Sequence, residues 1–451
     1  MRNFNQLTQF GLFDTHVPRY TSYPTAPIFS QDVGQTFQVD ALKALDPDVP
    51  VSLYVHIPFC ERLCWFCACR TQGTRTLSPV EHYLESVKHE LQILSEIIPK
   101  RLKMGRLHWG GGTPTILPPA LIHDLARAIK QAVPPADEFE FSVEIDPTMV
   151  DDAKITALAA EGMNRASIGT QDFSPKVQAA IGREQSYELT AQCVRSLRNS
   201  GITSLNTDLV YGLPHQTEDA ITQTVEKVLT LNPDRVALFG YAHVPHMAKR
   251  QKLIDEAALP GDVDRYRLSV LATDLFCQAG YQAIGIDHFS KTGDSLAQAA
   301  NDGTLRRNFQ GYTTDTCPTL IGVGASSISR FNEGYVQNAA ATAAYMQRIE
   351  AGNLAGYRGH ILSPDDKLRA RAIEMLMCSF AIDVGALFEG FGDFSKELEP
   401  IHEQVLTAFD GFVVRTATGI EILPEGRPLA RIVAQHYDRY ADVSAIYSKA
   451  V

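Results

Sequence analysis

VSLYVHIPFCERLCWFCACR, residues 51–70, joins a seven-residue apolar run to four cysteines within ten positions. VSLYVHI (51–57) is almost continuously hydrophobic, as a strand covered on both faces must be. Directly after it, Cys60, Cys64 and Cys67 stand at C-x3-C-x2-C, with Phe66 before the third and Cys69 two residues beyond. Thiolates are soft ligands suited to iron–sulfur clusters, and three on one loop can hold three irons of a 4Fe–4S cube while the fourth stays open. Spacing alone leaves two other readings. One is a zinc site, although no second C-x2-C half is present; the other is plain structural thiols or a local disulfide. Cys193, Cys277, Cys317 and Cys378 share no motif and read as ordinary buried thiols.

The strand-then-loop pattern recurs along the chain. RLHW (106–109), EFEFSVEID (138–146), RASIGT (165–170), SLNTDLVYG (204–212) and RVALFGY (235–241) alternate with helix-like stretches such as VEHYLESVKHELQILSEII (80–98) and EDAITQTVEKVLTLN (218–232). Six β–α units with right-handed crossovers predict an α/β fold, either a partial (β/α)6 TIM-like barrel with parallel strands or a doubly wound sheet. In both, ligands gather beyond the carboxyl ends of the strands. The sequence puts GGGTPT (110–115), Glu144 with Asp146, Gly169 with Gln171 and Asp172, Asp208, and Tyr241–His243 at those ends, which makes one active-site mouth. GGGTPT has neither the P-loop ending nor the dinucleotide spacing. It is a tight turn, or a place where backbone N–H and C=O groups stay open to an amino-acid-like ligand. Glu144 and Asp208 suit strand-end caps, or acceptors for ribose hydroxyls or an ammonium group.

With 451 residues and 45% hydrophobic content, one large and one smaller domain are expected. The net charge of −11 argues against nucleic acid as a partner. No apolar run is long enough to span a bilayer. MRNFNQLTQFGLFDTH lacks a secretory pattern, so a cytoplasmic setting is expected, with a monomer as the default. After about residue 360, DDKLRARAIEMLMCSFAID, a short β pair at FVVRTATGIEIL and a last helix through RPLARIVAQHYDRY indicate a mostly helical unit with a β-hairpin. Its winged shape is read as a lid over the barrel rather than a DNA reader.

The cysteine spacing with GGGTP after the second strand resembles the radical S-adenosylmethionine superfamily. RYTSYPT (19–25), HWGGGTPT, GTQDF, GREQ, DLVYGLP, LNPDR, YAHVP, DHF (287–289) and RNFQGYTT (307–314) together resemble the oxygen-independent coproporphyrinogen III oxidases, over roughly residues 19 to 440. The resemblance implies an N-terminal segment, 1–48, near the active-site entrance, a radical S-adenosylmethionine catalytic domain, 49–359, and the lid, 360–451. It makes Cys60, Cys64 and Cys67 the cluster ligands and Cys69 an extra cysteine that is not a ligand. The open iron would be chelated by S-adenosylmethionine. Tyr54, Phe66, Gly111, Glu144 and Ile328 match positions that bind this first molecule, with Tyr54 and Glu144 nearest the chemistry. Gly112, Thr113, Gln171, Arg183, Asp208 and Ala242 match the lining of a second molecule's site.

The implied reaction is the anaerobic oxidative decarboxylation of two propionate side chains of coproporphyrinogen III to vinyl groups, giving protoporphyrinogen IX in haem biosynthesis. A 5′-deoxyadenosyl radical would remove a hydrogen from the propionate β-carbon, with electrons from an unidentified one-electron donor. Arg19, Tyr20 and Tyr23 are candidate substrate contacts, and Arg19, Arg306, Arg307 and Arg330 candidate partners for its carboxylates. Trp65 and Ala68 stand where relatives carry tyrosine and glycine, which predicts altered packing without loss of a ligand. Phe239–Gly240 replaces a frequent asparagine beside the second cofactor site. A haem chaperone shares the barrel and cluster motif, but its His-Asn-Arg-x-Tyr-Trp run is absent here; a plain electron carrier has no use for six decorated strand ends.

Overall fold

All six apolar runs become strands of one sheet in the computed structural model, which describes residues 4–441, 447, 449 and 450. They are β1 (Val51–Ile57), β2 (Met104–Gly111), β3 (Pro135–Ile145), β4 (Arg165–Gln171), β5 (Ser204–Tyr211) and β6 (Arg235–Gly240), paired in that order and all parallel. Helices Ser78–Ile97, Pro119–Ala132, Asp152–Ala160, Tyr187–Asn199 and Glu218–Leu231 make the crossovers. Several begin where a side chain satisfies an orphan N–H: Asp151 accepts from Lys154, Ser186 from Leu189 and Thr217 from Ala220. Val80, Leu84, Val87, Leu91 and Leu94 form one apolar stripe on the first of them.

That stripe packs on Leu53, Val55, Leu107, Trp109, Phe141 and Val143. Strand side chains alternate between faces, so the neighbours of this set point the other way, into the concave side. They are Tyr54, His56, His108, Glu144, Ser167 and Asp208. The partial barrel is therefore apolar under its helices and polar inside.

The sheet is larger than the six units: among the described residues it has twelve strands. Beyond β6 lie β7 (Tyr281–Ile284) and β8 (His288–Lys291), with β8 antiparallel to β6. A hairpin of β9 (Arg306–Asn308) and β10 (Gly311–Thr313) stands outside the large sheet. Beyond β1, β11 (Leu320–Val323) pairs in parallel, and β12 (Ile328–Phe331), β13 (Gly334–Asn338) and β14 (Gly356–Ile361) follow antiparallel. The sheet edges are β14 and β7, so the barrel does not close.

A second core holds Leu368, Leu376, Ile382, Val433 and Tyr437 together with Leu7, Leu12, Val17, Tyr20 and Tyr23 of the N-terminal segment. Helix Gln35–Lys43 of that same segment instead packs Ala41 and Leu42 into the sheet core. Strand β14 crosses residue 359, and helix Pro364–Ser379 opens the C-terminal unit on a Ser363–Asp366 capping box. The expected β pair is a three-stranded sheet, because Ala381–Asp383 joins Val413–Arg415 and Gly419–Ile422. The expected last helix over 427–440 shrinks to Ala430–Gln435. A 3-10 turn containing Pro428 precedes it, since proline cannot donate the bond that would extend the helix backwards. No helix among the described residues is long and apolar enough to cross a membrane.

Candidate active site

The cysteine loop leaves β1 through Phe59–Cys60, which bridges Gln72–Gly73 in parallel. It is held by packing and by main-chain bonds. Trp65 and Phe66 lie on Val177, Ile181, Val210, Leu213 and Tyr241, and the Trp65 N–H donates to Ile181 O at 2.9 Å. A Cβ on Gly182 would stand 2.8 Å from the indole, so glycine of the GREQ segment makes room for Trp65. Fully buried Gln251 donates to Phe66 O (2.7 Å) and Ala242 O (3.0 Å), tying two predicted positions to one amide. Arg250 reaches Cys69 O at 3.1 Å.

Each of the three sulfurs receives a donor. Thr113 Oγ1 lies 3.5 Å from Cys60 Sγ, Arg183 3.6 Å from Cys64 Sγ, and the Cys69 N–H 3.4 Å from Cys67 Sγ. Arg183 also donates to Gly169 O (2.8 Å) and pairs with Asp146 at 3.1 Å. Donors and cations favour the thiolate, the metal-binding form. The Cys67 thiol is lowered by its hydrogen bond with Cys69, with Arg250 and Arg183 adding to the pull, whereas burial pushes Cys60 up. Among the described residues no three His, Cys, Asp or Glu side chains converge tightly enough for one ion. Cys69 is exposed, and of the four scattered cysteines only Cys193 is buried; Cys277, read as a buried thiol, is exposed.

The glycine run corrects one expectation. Its N–H groups are not open: Gly111 donates to Glu144 Oε2 (3.0 Å), Gly112 to Ile57 O (2.8 Å) and Thr113 to Phe59 O (2.8 Å). The glycines serve close approach within the protein. A Cβ on Gly112 would meet Phe59 O at 2.6 Å, and Gly111, at φ +110°, would drive one into the His56 ring.

Inside the barrel, Glu144 also lies 3.3 Å from His108 Nε2. His108 stacks on Tyr54, whose hydroxyl is 2.9 Å from His56 Nδ1. Burial would raise the Glu144 carboxyl, but His108 and the Gly111 N–H hold it below its ordinary value. Asp208 accepts from Ser167 Oγ (3.0 Å) and Asn206 Nδ2 (2.7 Å), yet burial, with Glu144 nearby, pushes it up to about 6. His56, His108, Ser167 and Asn206 were missed in the sequence. The signal available was their alternate-residue spacing with Tyr54, Gly110, Gly169 and Asp208. Asp172 does not join them: fully buried, it accepts from Gln216 and Ser174 and fixes the loop after Gln171, whose φ is +68°. Ile328 lies on β12, where Gly322, the strand partner of Tyr54, comes close to its backbone.

A model described as the radical SAM superfamily matches residues 54–228, from β1 into the helix after β5. Over the full length of both chains, the protein is 58% identical to the oxygen-independent coproporphyrinogen III oxidase of Cereibacter sphaeroides strain ATCC 17025. The chain belongs to the oxygen-independent coproporphyrinogen III oxidase family. The family's Escherichia coli member is 38% identical across 94% of this chain and 93% of its own. A solved structure of the Escherichia coli coproporphyrinogen III oxidase, described as a radical SAM enzyme, superposes with a TM-score of 0.90 at 36% identity, covering 94% of this chain and 100% of that one. Membership brings a 4Fe–4S cluster and S-adenosylmethionine, and the donors on the three sulfurs fit a thiolate-held cluster.

The hydroxyls of two substrate candidates in the family segment RYTSYPT are bonded within the protein. The Tyr20 hydroxyl donates to Asp438 at 3.1 Å, and Tyr23 accepts from the Arg439 N–H at 3.0 Å. Arg19 is exposed and donates to Gly240 O at 2.8 Å.

Proposed function

We infer that this chain is an oxidoreductase that converts two propionate side chains of coproporphyrinogen III to vinyl groups without oxygen, giving protoporphyrinogen IX. The observation that carries this is full-length relatedness: the N-terminal segment, barrel and C-terminal unit all align with enzymes bearing that activity in their names. When bound, the reduced cluster and S-adenosylmethionine supply a carbon radical able to take hydrogen from an unactivated propionate carbon.

The chain's own residues hold and shield. Cys60, Cys64 and Cys67 are the cluster ligands, each sulfur already facing a donor. Glu144, oriented by Gly111 and His108, accepts from a first S-adenosylmethionine beside Tyr54, Phe66 and Ile328. Gly112, Thr113, Gln171, Arg183, Asp208 and Ala242 line the site of a second. Arg183 links the two ends of this site, since it touches both a cluster sulfur and the carboxyl end of β4. The helical sleeve and the C-terminal unit, acting as a lid over the catalytic barrel, keep water and loosely held groups from the radical. The protein works as a cytoplasmic monomer fed by a separate one-electron donor.

Anaerobic incubation of the reconstituted protein with S-adenosylmethionine, a reductant and coproporphyrinogen III should yield protoporphyrinogen, read as protoporphyrin after oxidation. Tight haem binding with no vinyl product would refute the reading.

A further inference from the structure

RYTSYPT and RNFQGYTT, the segments most particular to this family, wall a cavity of about 650 Å3 that is separate from the cysteine loop. Its other walls come from β12 and helix Pro364–Ser379. The β9–β10 hairpin spans the open side of the barrel: Tyr312 packs edge-on against His288 of β8 at 5.1 Å, and Phe309 against Tyr335 of β13 at 6.0 Å. The cavity therefore lies beside this hairpin, apart from the cysteine-bearing mouth.

Its charge is unbalanced. Arg306, Arg307, Arg330, Lys367 and Arg371 line it. Against these five cations stand three carboxylates, Asp315, Glu333 and Glu374: Glu374 is taken by Arg371 at 2.6 Å and Arg306 at 3.8 Å, and Asp315 accepts from Ser52 and the Cys317 N–H. Arg307 decides the matter. Its side chain is 3% exposed, and its nearest carboxylate, Asp287, stands 3.9 Å away. One terminal nitrogen donates to Arg19 O at 3.3 Å, and the guanidinium lies over the Tyr312 ring at 4.3 Å. Nε and the other terminal nitrogen, the one that faces Asp287, are buried without a hydrogen bond. Unmet donors on a buried cation are costly and rare, and the planar fork they form matches a carboxylate.

We propose that this cavity anchors the substrate through its carboxylates, with Arg307 receiving one propionate and Arg330 and Lys367 flanking others. This rests on the reading that the substrate is coproporphyrinogen III, a macrocycle with four such groups. Two of the four survive both decarboxylations, so an anchor here holds the ring through the whole sequence. Arg307 sits beside Asp287, whose carboxylate lies 2.6 Å from His288 Nδ1. Arg19 belongs outside this set, since it lines a different cavity.

The test is the affinity of the reconstituted protein for coproporphyrin III, the unreactive oxidised macrocycle, and for its tetramethyl ester, both followed by fluorescence quenching. Arg307→Gln should weaken the acid by about 10- to 100-fold and leave the ester within twofold. Arg330→Gln, at a less enclosed position, should weaken the acid by several-fold and guards against a folding defect in the first variant. Cluster absorbance and S-adenosylmethionine affinity should not change. Unaltered acid binding in both variants, or equal weakening of acid and ester, would overturn the anchor. Wild-type protein that binds the acid through Arg307 but makes no vinyl product would overturn the reaction and leave the anchor standing.

Discussion

The cysteine loop is built from ten consecutive residues, whereas the cavity around Arg307 draws on segments between positions 20 and 374. At the loop, Arg183 reaches a sulfur, a carbonyl and Asp146, and only its Nε is left without a partner. In the cavity, a buried guanidinium keeps two donors unmet. Cofactor chemistry is thus carried by local spacing, and recognition of a large anionic ring by the way distant segments close over an open sheet. The two regions should respond separately to substitution.

The largest effect is expected at the loop. Cys64→Ser should abolish cluster absorbance and all turnover, while Cys69→Ser keeps the absorbance; loss in both would mean that Cys69 is a ligand after all. Next comes Gly112→Ala. The added methyl meets main-chain atoms of Phe59 and Ile57 that cannot swing aside, so stability should drop by about 1–3 kcal/mol in urea unfolding and iron content should fall with it. A variant that loads a full cluster at wild-type stability would show that the glycine run is less tightly constrained than its contacts indicate.

Asp208 offers a pH signature. Because it takes up a proton as pH falls through about 6, it loses charge and acceptor capacity below that point. S-Adenosylmethionine affinity should therefore decline below about pH 6 in the wild type, and Asp208→Asn should bind weakly with a flat profile. A variant that retained the wild-type pH dependence would move the titration to another group. The smallest effect is Tyr20→Phe, which removes one buried hydrogen bond to Asp438. It should cost about 1 kcal/mol of stability without touching cofactor affinity.

Much of the cofactor end was legible because parallel strands covered on both faces are long apolar runs, and because the chemistry falls at their carboxyl ends. Val51–Ile57 matched its strand residue for residue. The further strands β7, β8 and β11 to β14 were not legible: they are only four to six residues long, too short for an apolar run to announce them. The interior histidines were hidden by the same apolar runs that revealed the strands, since His56 and His108 sit among hydrophobic neighbours and only the two-residue period exposes them. The arginine candidates could be collected from the sequence but not sorted. Sorting Arg307 from Arg19 required knowing which cavity each lines and that Arg307 is buried while Arg19 is exposed.

The separation of the two regions is tested most directly by measuring, in one set of anaerobic assays, S-adenosylmethionine affinity and the coproporphyrinogen III concentration for half-maximal vinyl formation in wild type and Arg307→Gln. The account predicts an unchanged S-adenosylmethionine affinity with half-saturation raised about tenfold or more. Both quantities shifting together, or neither shifting, would contradict it.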